Sequence, residues 1–440
     1  MNISFENLGI IKQMEVDLSK KLTIFCGQNG TGKTYACYAL YGYLEGIYDL
    51  KSIFDFRDLL TKKSLQVKLD YDSLYDLACQ RMTTLSNEMG VLFGVLDNQL
   101  FPNFKAHLNT ERSVFIEALN GLHLSVEATT MYASVRYEKK SGDNILYIHL
   151  VRHSMKESDI DITNFFLNQH LVDILSKGGD LGQPYFFPVE RSSIYTFIDS
   201  FAAIRPEDNI RLHYPVPVQR MLGEVSRLKS IKDLTSPYKF LADEIEKNVL
   251  RGEVFVSEEG EVLFRSEKCR ERLFPPHLSA AIVKNLSGIL IYLKHQAKQG
   301  DVLIIDEPEL GLHPDNQVLL ARILTKIANA GIRVVISTHS DYITQEVNNL
   351  IMLSSEKITD EVFADEDFRE SGLLRSDSIK PQDVAAYIFD FDSEEPNRVS
   401  VSTAAMNVDG FQVATIEGTA SRMQDYSMAL YYAVWKEEEK

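Results

Sequence analysis

The stretch "TIFCGQNGTGKTYACYAL", residues 23–40, sets Gly27, Gly30, Gly32 and Lys33 between an apolar run and an alanine-rich one. Gly27, Gly32, Lys33 and Thr34 fit G-x-x-x-x-G-K-[ST], with a strand pattern before the loop and a helical composition after it. In that context the pattern reads as a phosphate-binding loop. Glycines let backbone N–H groups approach phosphate oxygens, and the helix N-terminus adds partial positive charge. Lys33 is expected to reach the β- and γ-phosphates, and Thr34 to ligate Mg²⁺. Gln28, Asn29, Gly30, Thr31 and Tyr35 complete the expected contact set, Gln28 either facing solvent or near a phosphate.

Triphosphate chemistry also needs a metal-binding acid and a group that aligns water. "VLIIDEPELGLHP" supplies both. Asp306 ends a buried strand, where open α/β sheets bind ligands, and is expected on Mg²⁺. Glu307 is expected to act as general base toward the water. The plainer alternative is that the two acids cap the strand end. "VVISTHS" repeats the logic: His339 follows a β-branched strand and can donate to the γ-phosphate, although a histidine after a strand is more often a loop residue. The order lysine loop, acidic pair, histidine is more specific than any single piece.

Positioning these groups takes an α/β chain. With 440 residues, 45% hydrophobic and 25% charged, there is room for a large core and two or three domains. "ISFENLGIIKQMEVDL" reads as a hairpin and "EVFVSEEGEVLF" as another turning at "SEEG". Residues 205–250 and 278–299 read as helical, and "PDNQVLLARILTKIANAG" as a helix opened by Pro314 and closed by Gly331. Residues 46–180 carry apolar residues at helical spacing, with one hairpin turning at "KKSGDN". The reading divides the chain into 1–45, the start of an ATPase domain; 46–180, a mainly helical insertion with a hairpin; 181–355, the rest of the ATPase domain; and 356–440, an acidic C-terminal α/β subdomain. A net charge of −17 argues against broad nucleic-acid binding, although a local basic groove stays open. Cys26, Cys37, Cys79 and Cys269 lack metal-ligand spacing and read as free thiols in a cytoplasmic protein. No apolar run is long enough for a membrane span, and the N-terminus does not read as a signal peptide.

"GQNGTGKT", "LIIDEPELGLHP" and "VVISTHS" resemble the ABC-type ATPases of the SMC, RecF and OLD class, and are similar to stand-alone bacterial AAA-family members. "FENLGIIK", "YFFPVERSSI", "EVFVSEEGEVLFR" and "IKPQDVAAYIF" agree. The chain is also similar to ATPase subunits of prokaryotic anti-phage systems such as Septu and PARIS, and to the ATPase half of OLD nucleases. The resemblance implies a P-loop head with a mixed sheet flanked by helices, ATP and Mg²⁺ as cofactors, and pairing of two heads around ATP in a homodimer or higher oligomer. Each head would then complete its partner's site through a serine motif at a helix N-terminus. The matching stretch here is "PPHLSAAIVKNLSGILIYLKHQ", with Ser279 and Lys284 in place, Ala280 and Ala281 between, and the glycine missing. That departure implies slow hydrolysis or a scaffold that turns over rarely. Arg191 is read as approaching phosphate or a partner acid, or more commonly as a structural salt bridge. Gln66 is a candidate for the glutamine that senses the γ-phosphate, and His313 for a residue at the dimer seam or one packed before Pro314.

"TIEGTASR" and "FDFDSEE" faintly resemble nuclease motifs, but too little chain follows, and the acids at 390–395 read as a solvated turn. The implied function is therefore an ATP-driven sensor or scaffold for a separate nuclease or toxin. A RecF-like DNA-repair ATPase is the alternative; "TKKSLQVK" would be its small basic patch.

Overall fold

The computed structural model describes residues 1–46, 54–95, 100–154, 159–179, 181–194 and 214–435. The start of the stretch read as helical, 205–213, lies outside them.

Continuous apolar runs need cover on both faces, and parallel strands between helix layers provide it. Leu22–Gly27 (β3), Val302–Asp306 (β13) and Arg333–Thr338 (β14) are almost wholly buried. β14 lies between the other two, parallel to both, with Asp306 opposite Ser337 and Thr338 opposite Cys26. Pro184–Phe187 (β9) extends the parallel set beyond β13. On the other side Val384–Phe391 (β15) runs parallel to β3 and antiparallel to Val399–Thr403 (β16). The N-terminal hairpin, Asn2–Leu8 (β1) and Ile11–Asp17 (β2), and Lys105–Leu108 (β5) complete an order of β5-β1-β2-β16-β15-β3-β14-β13-β9. Thus the segment from 356 onward, expected as a subdomain of its own, gives two strands to the main sheet. Of its acids at 390–395, Asp390 is exposed on β15 and the others form a turn: Asp392 accepts from the backbone of Glu394 and Glu395 and pairs with Lys12 at 2.9 Å.

The sheet is covered on both sides. One core layer packs Lys33–Glu45 (α1) and Tyr71–Leu92 (α2) against β1–β3. The other packs Lys239–Ile245 (α6), Ala281–His295 (α7), Pro314–Asn329 (α8) and Asp341–Met352 (α9) on the opposite face, with Val216–Ser226 (α5).

Within 46–180 the strands exceed the single hairpin expected. Ser64–Lys68 (β4), Leu124–Thr129 (β6), Ala133–Lys139 (β7) and Ile145–His153 (β8) form an antiparallel sheet, β4-β8-β7-β6. A second turn explains the extra strand: Thr130 Oγ1 accepts the Ala133 N–H at 3.0 Å and closes the β6–β7 loop. This sheet shares a core with Arg112–Gly121 (α3) and Ile160–Ser176 (α4). The insertion grips the far end of α1. Arg81, fully buried, donates to the carbonyls of Tyr43 and Leu44, and Lys177, also fully buried, to that of Leu44. Asp173 on α4 pairs with both cations, at 2.8 and 2.7 Å. Carbonyls at a helix C-terminus lack intrahelical partners, and cations there satisfy them.

Gly252–Val256 (β10) and Val262–Ser266 (β11) form the hairpin expected at "SEEG", joined by Leu273–Phe274 (β12). The helix Ala414–Trp435 (α10) closes the described chain. Met423, Tyr426, Leu430, Tyr432 and Val434 along it are each at least half exposed. All four cysteines are free. No helix among the described residues is long and apolar enough to cross a membrane.

Candidate functional site

The C-terminal ends of β3, β13 and β14 lie side by side, and each carries one of the three sequence motifs. After β3 the chain turns through Gly27 and Gly30. Gly27 adopts φ +149, and a Cβ there would stand 2.3 Å from the Phe389 carbonyl of β15. Gly30, at φ +77, faces open space. Both conformations favour glycine, so the loop backbone is free to approach an anion. α1 begins at Lys33 with no acidic residue in its first turn to compete for that anion.

Lys33 is largely buried and folds back on its own loop, donating to the carbonyls of Gly27 at 2.8 Å and Gln28 at 2.7 Å. Burial pulls its pKa down, against the opposing pull of Glu307 and Asp306. Thr31 also donates to the Gln28 carbonyl, at 2.8 Å. Thr34 donates to Asp306 Oδ2 at 2.8 Å, and Ser337 donates to Oδ1. Burial pushes the Asp306 carboxyl up, and those two hydroxyls oppose the push.

Glu307 adopts a left-handed backbone, φ +46, which a non-glycine residue holds only when its surroundings enforce it. Two contacts do so. The Glu307 N–H donates to Ser337 at 3.1 Å, and Arg191 donates to the Asp306 and Glu307 carbonyls at 2.7 and 2.8 Å. Among the described residues the Arg191 side chain donates to carbonyls rather than to a carboxylate; it is a buried brace on the backbone of the acidic pair. Burial lowers its pKa to about 10, which leaves the guanidinium charged at neutral pH.

His339 stands with Nδ1 3.9 Å from Glu307 Oε1 and 3.6 Å from Glu309 Oε1. Glu309, nearly buried, accepts from Thr338 Oγ1 at 2.7 Å and from the His339 N–H at 2.9 Å.

In front of these groups opens a cavity of about 510 Å³, lined by residues 29–35, Glu307, Gly9, Ile10, Leu100 and Phe101. Its polar wall is the loop and its apolar wall is Ile10, Leu100, Phe101 and the Tyr35 ring, which lies 4.8 Å from Phe93 and 5.9 Å from Phe101. One side suits phosphates and the other a flat base. The structure therefore brings together Gly27, Gln28, Asn29, Gly30, Thr31, Gly32, Lys33, Thr34, Tyr35, Asp306, Glu307 and His339.

It places four other candidates elsewhere. Ser279 and Lys284 lie at the N-terminus of α7, outside this cavity, and the Ser279 hydroxyl donates to the Pro275 carbonyl at 3.1 Å. Gln66 sits exposed on β4 in the insertion's sheet, opposite Tyr147. That position corrects its reading as a γ-phosphate sensor: its strand pattern is satisfied by pairing with β8. His313 caps α8, its Nδ1 accepting the Asp315 N–H at 3.3 Å, and stays exposed rather than packing before Pro314.

Sequence reasoning missed Ser337, Glu309 and, apart from Tyr35, the apolar wall. Ser337 was findable, since pairing β13 with β14 sets it opposite Asp306. Ile10 and Phe101 carry no local signal, because they arrive from a hairpin turn and from the insertion.

Fold and site together give a mixed sheet flanked by helices, with a glycine loop between β3 and α1 facing an acidic pair at the end of β13. Residues 207–344 match a family model described as "AAA domain, putative AbiEii toxin, Type IV TA system". Among curated proteins the chain is similar to the energy-coupling factor transporter ATP-binding protein EcfA of Methanothermobacter thermautotrophicus, 32% identical over 113 residues, which are 25% of this chain and 34% of the relative. EcfA of Methanococcus maripaludis is 31% identical over 156 residues, 35% of this chain and 51% of the relative. The chain thus spans between a third and a half of the length of these relatives. Among solved structures, the SMC head domain from Thermotoga maritima aligns with 92% of this chain and 98% of its own at 11% identity and a TM-score of 0.34. An SMC head from Pyrococcus furiosus, bound to the C-terminal domain of ScpA, aligns with 97% and 98% at 10% identity and 0.36.

Proposed function

We propose that this chain binds and hydrolyses ATP with Mg²⁺, and that the nucleotide pairs two copies head to head to control a separate effector protein, a nuclease or toxin, in cytoplasmic anti-phage defence. The observation that carries the reading is the convergence of Thr34, Asp306, Glu307 and His339 beside the Lys33 loop.

The donor set fits the metal. Thr34 and Asp306 offer one hydroxyl and one carboxylate in contact, hard oxygen ligands that suit Mg²⁺ when phosphate oxygens and water supply the remainder. Bound there, the ion would neutralise charge on the β- and γ-oxygens. The rest falls to the protein. Lys33 exchanges the Gly27 and Gln28 carbonyls for phosphate oxygens. Glu307 accepts a proton from the attacking water, and His339 donates to the γ-phosphate. Ser279 and Lys284 face a second copy, where they close the partner's site. The apolar side chains exposed along α10 suit an effector surface, because apolar patches of this kind mark interaction sites.

One observation favours a second reading, an ATP-binding scaffold with little turnover. Ala280, at the N-cap of α7, gives no side-chain cap, and Ser279 is engaged with its own chain. A trans contact built this way offers fewer free donors to a γ-phosphate.

The test is phosphate release together with light-scattering mass, each with and without Mg-ATP. The proposal expects measurable turnover and an ATP-dependent doubling of mass. ATP-dependent doubling without turnover gives the scaffold; neither effect overturns both.

A further inference from the structure

Behind the acidic pair lie two buried charged groups that the proposed chemistry does not use. Arg191 is 1% exposed, and its three hydrogen bonds all go to carbonyls, those of Pro188, Asp306 and Glu307, through the two terminal nitrogens. Its Nε is buried without a hydrogen-bond partner. Glu309 is 5% exposed and uses a single oxygen, Oε1, for both of its hydrogen bonds; Oε2 is buried and unpartnered. A buried carboxylate oxygen and a buried guanidinium N–H are costly to leave unpaired.

Each group holds one half of the chemistry. Arg191 braces the backbone at the end of β13, where Glu307 takes its left-handed turn. Glu309 lies three residues further along, yet reaches across to β14 and fixes the side chain of Thr338 and the backbone of His339. The same oxygen stands 3.6 Å from the His339 ring, which in turn faces Glu307 at 3.9 Å.

We propose that Glu309 is a positioning residue for hydrolysis: its carboxylate ties the end of β14 to the acidic pair of β13 and sets His339 against Glu307, while Arg191 braces the backbone of that pair. This rests on the ATPase reading above. Glu309 is buried and does not line the cavity, so it acts through His339. Reacting groups displaced by about 1 Å lose rate by up to about a hundredfold, so the effect falls on turnover rather than on binding.

The experiment is Glu309→Gln, which keeps the volume and one acceptor, alongside Glu309→Asp, His339→Gln and the double variant Glu309→Gln/His339→Gln, read as kcat, KM for ATP and melting midpoint. For Glu309→Gln, kcat falls about 10–100-fold while KM stays within about twofold. In the His339→Gln background the same substitution costs less than about threefold, because residues acting as a unit are not additive. Glu309→Asp, which keeps the charge on a shorter stem, recovers part of the rate. An unchanged kcat, an additive double variant, or a loss tracking a lower melting midpoint overturns the inference and leaves the ATPase reading intact. Wild-type protein that releases no phosphate overturns the ATPase reading, and the inference with it.

Discussion

The Thr34 hydroxyl donates to the Asp306 carboxylate across 2.8 Å, joining two positions 272 residues apart in the chain. Thr34 lies in the first turn of α1, beyond the loop that follows β3, and Asp306 ends β13; β14 separates the two strands. The sheet order, rather than the local chain, makes them neighbours.

If these two oxygens hold the metal, Thr34→Ala weakens the metal site while leaving the phosphate loop intact. Half-maximal turnover should then need about 10–100-fold more Mg²⁺, the scale on which metal sites weaken when a supporting group is lost. Titrating Mg²⁺ at saturating ATP checks this, and an unshifted midpoint removes Thr34 from the metal.

Lys33 folds onto two carbonyls of its own loop and must leave them for a phosphate. Wild-type protein at a hundredfold excess of ATP over Kd gains about 2.7 kcal/mol of stability by mass action, and Lys33→Ala should lose most of that gain. Melting midpoints with and without Mg-ATP measure it; an equal rise in both proteins contradicts the role.

The cluster at the C-terminus of α1 predicts a stability effect remote from the site. Asp173→Asn leaves Arg81 and Lys177 buried without their counter-charge, which costs about 3–5 kcal/mol. The exposed partner of Arg112, Asp76, serves as a control that changes little when neutralised. Denaturant unfolding of both variants distinguishes a buried anchor from a surface pair.

Asp301 gives a pH prediction with a defined sign. It accepts from the Lys298 N–H, the Tyr292 hydroxyl and the Gln183 N–H, and burial pushes its carboxyl up to about 6. An acid raised in the folded state favours folding most below its unfolded value, about 3.9, and that advantage is lost as pH rises through 6. At neutral pH the loss is about 2–3 kcal/mol. Asp301→Asn cannot ionise, so the stability of wild type relative to the variant should fall between pH 4 and 7. Parallel stability curves across that range contradict the assignment.

The residues that the sequence exposed are those whose type is dictated locally. Gly27, Gly32, Lys33 and Thr34 meet a backbone and charge requirement within eight residues, and Asp306, Glu307 and His339 close apolar strands. What stayed hidden depends on pairing between distant segments. β15 joins β3 from more than 350 residues away, so the tail read as separate is part of the sheet. Arg191 looked like an ion-pairing arginine because composition cannot show that its partners are carbonyls. Gln66 had the right residue type on a strand of the wrong sheet.

If these dispersed groups act on one Mg-bound triphosphate, Glu307→Gln separates binding from hydrolysis. The amide keeps the shape of the site but cannot take the proton from water, and general-base loss costs about 10²–10⁴-fold. Calorimetry and phosphate release on wild type and variant should show comparable ATP binding in both and turnover in wild type alone. Equal turnover in the two proteins, or no binding heat in either, would contradict the account.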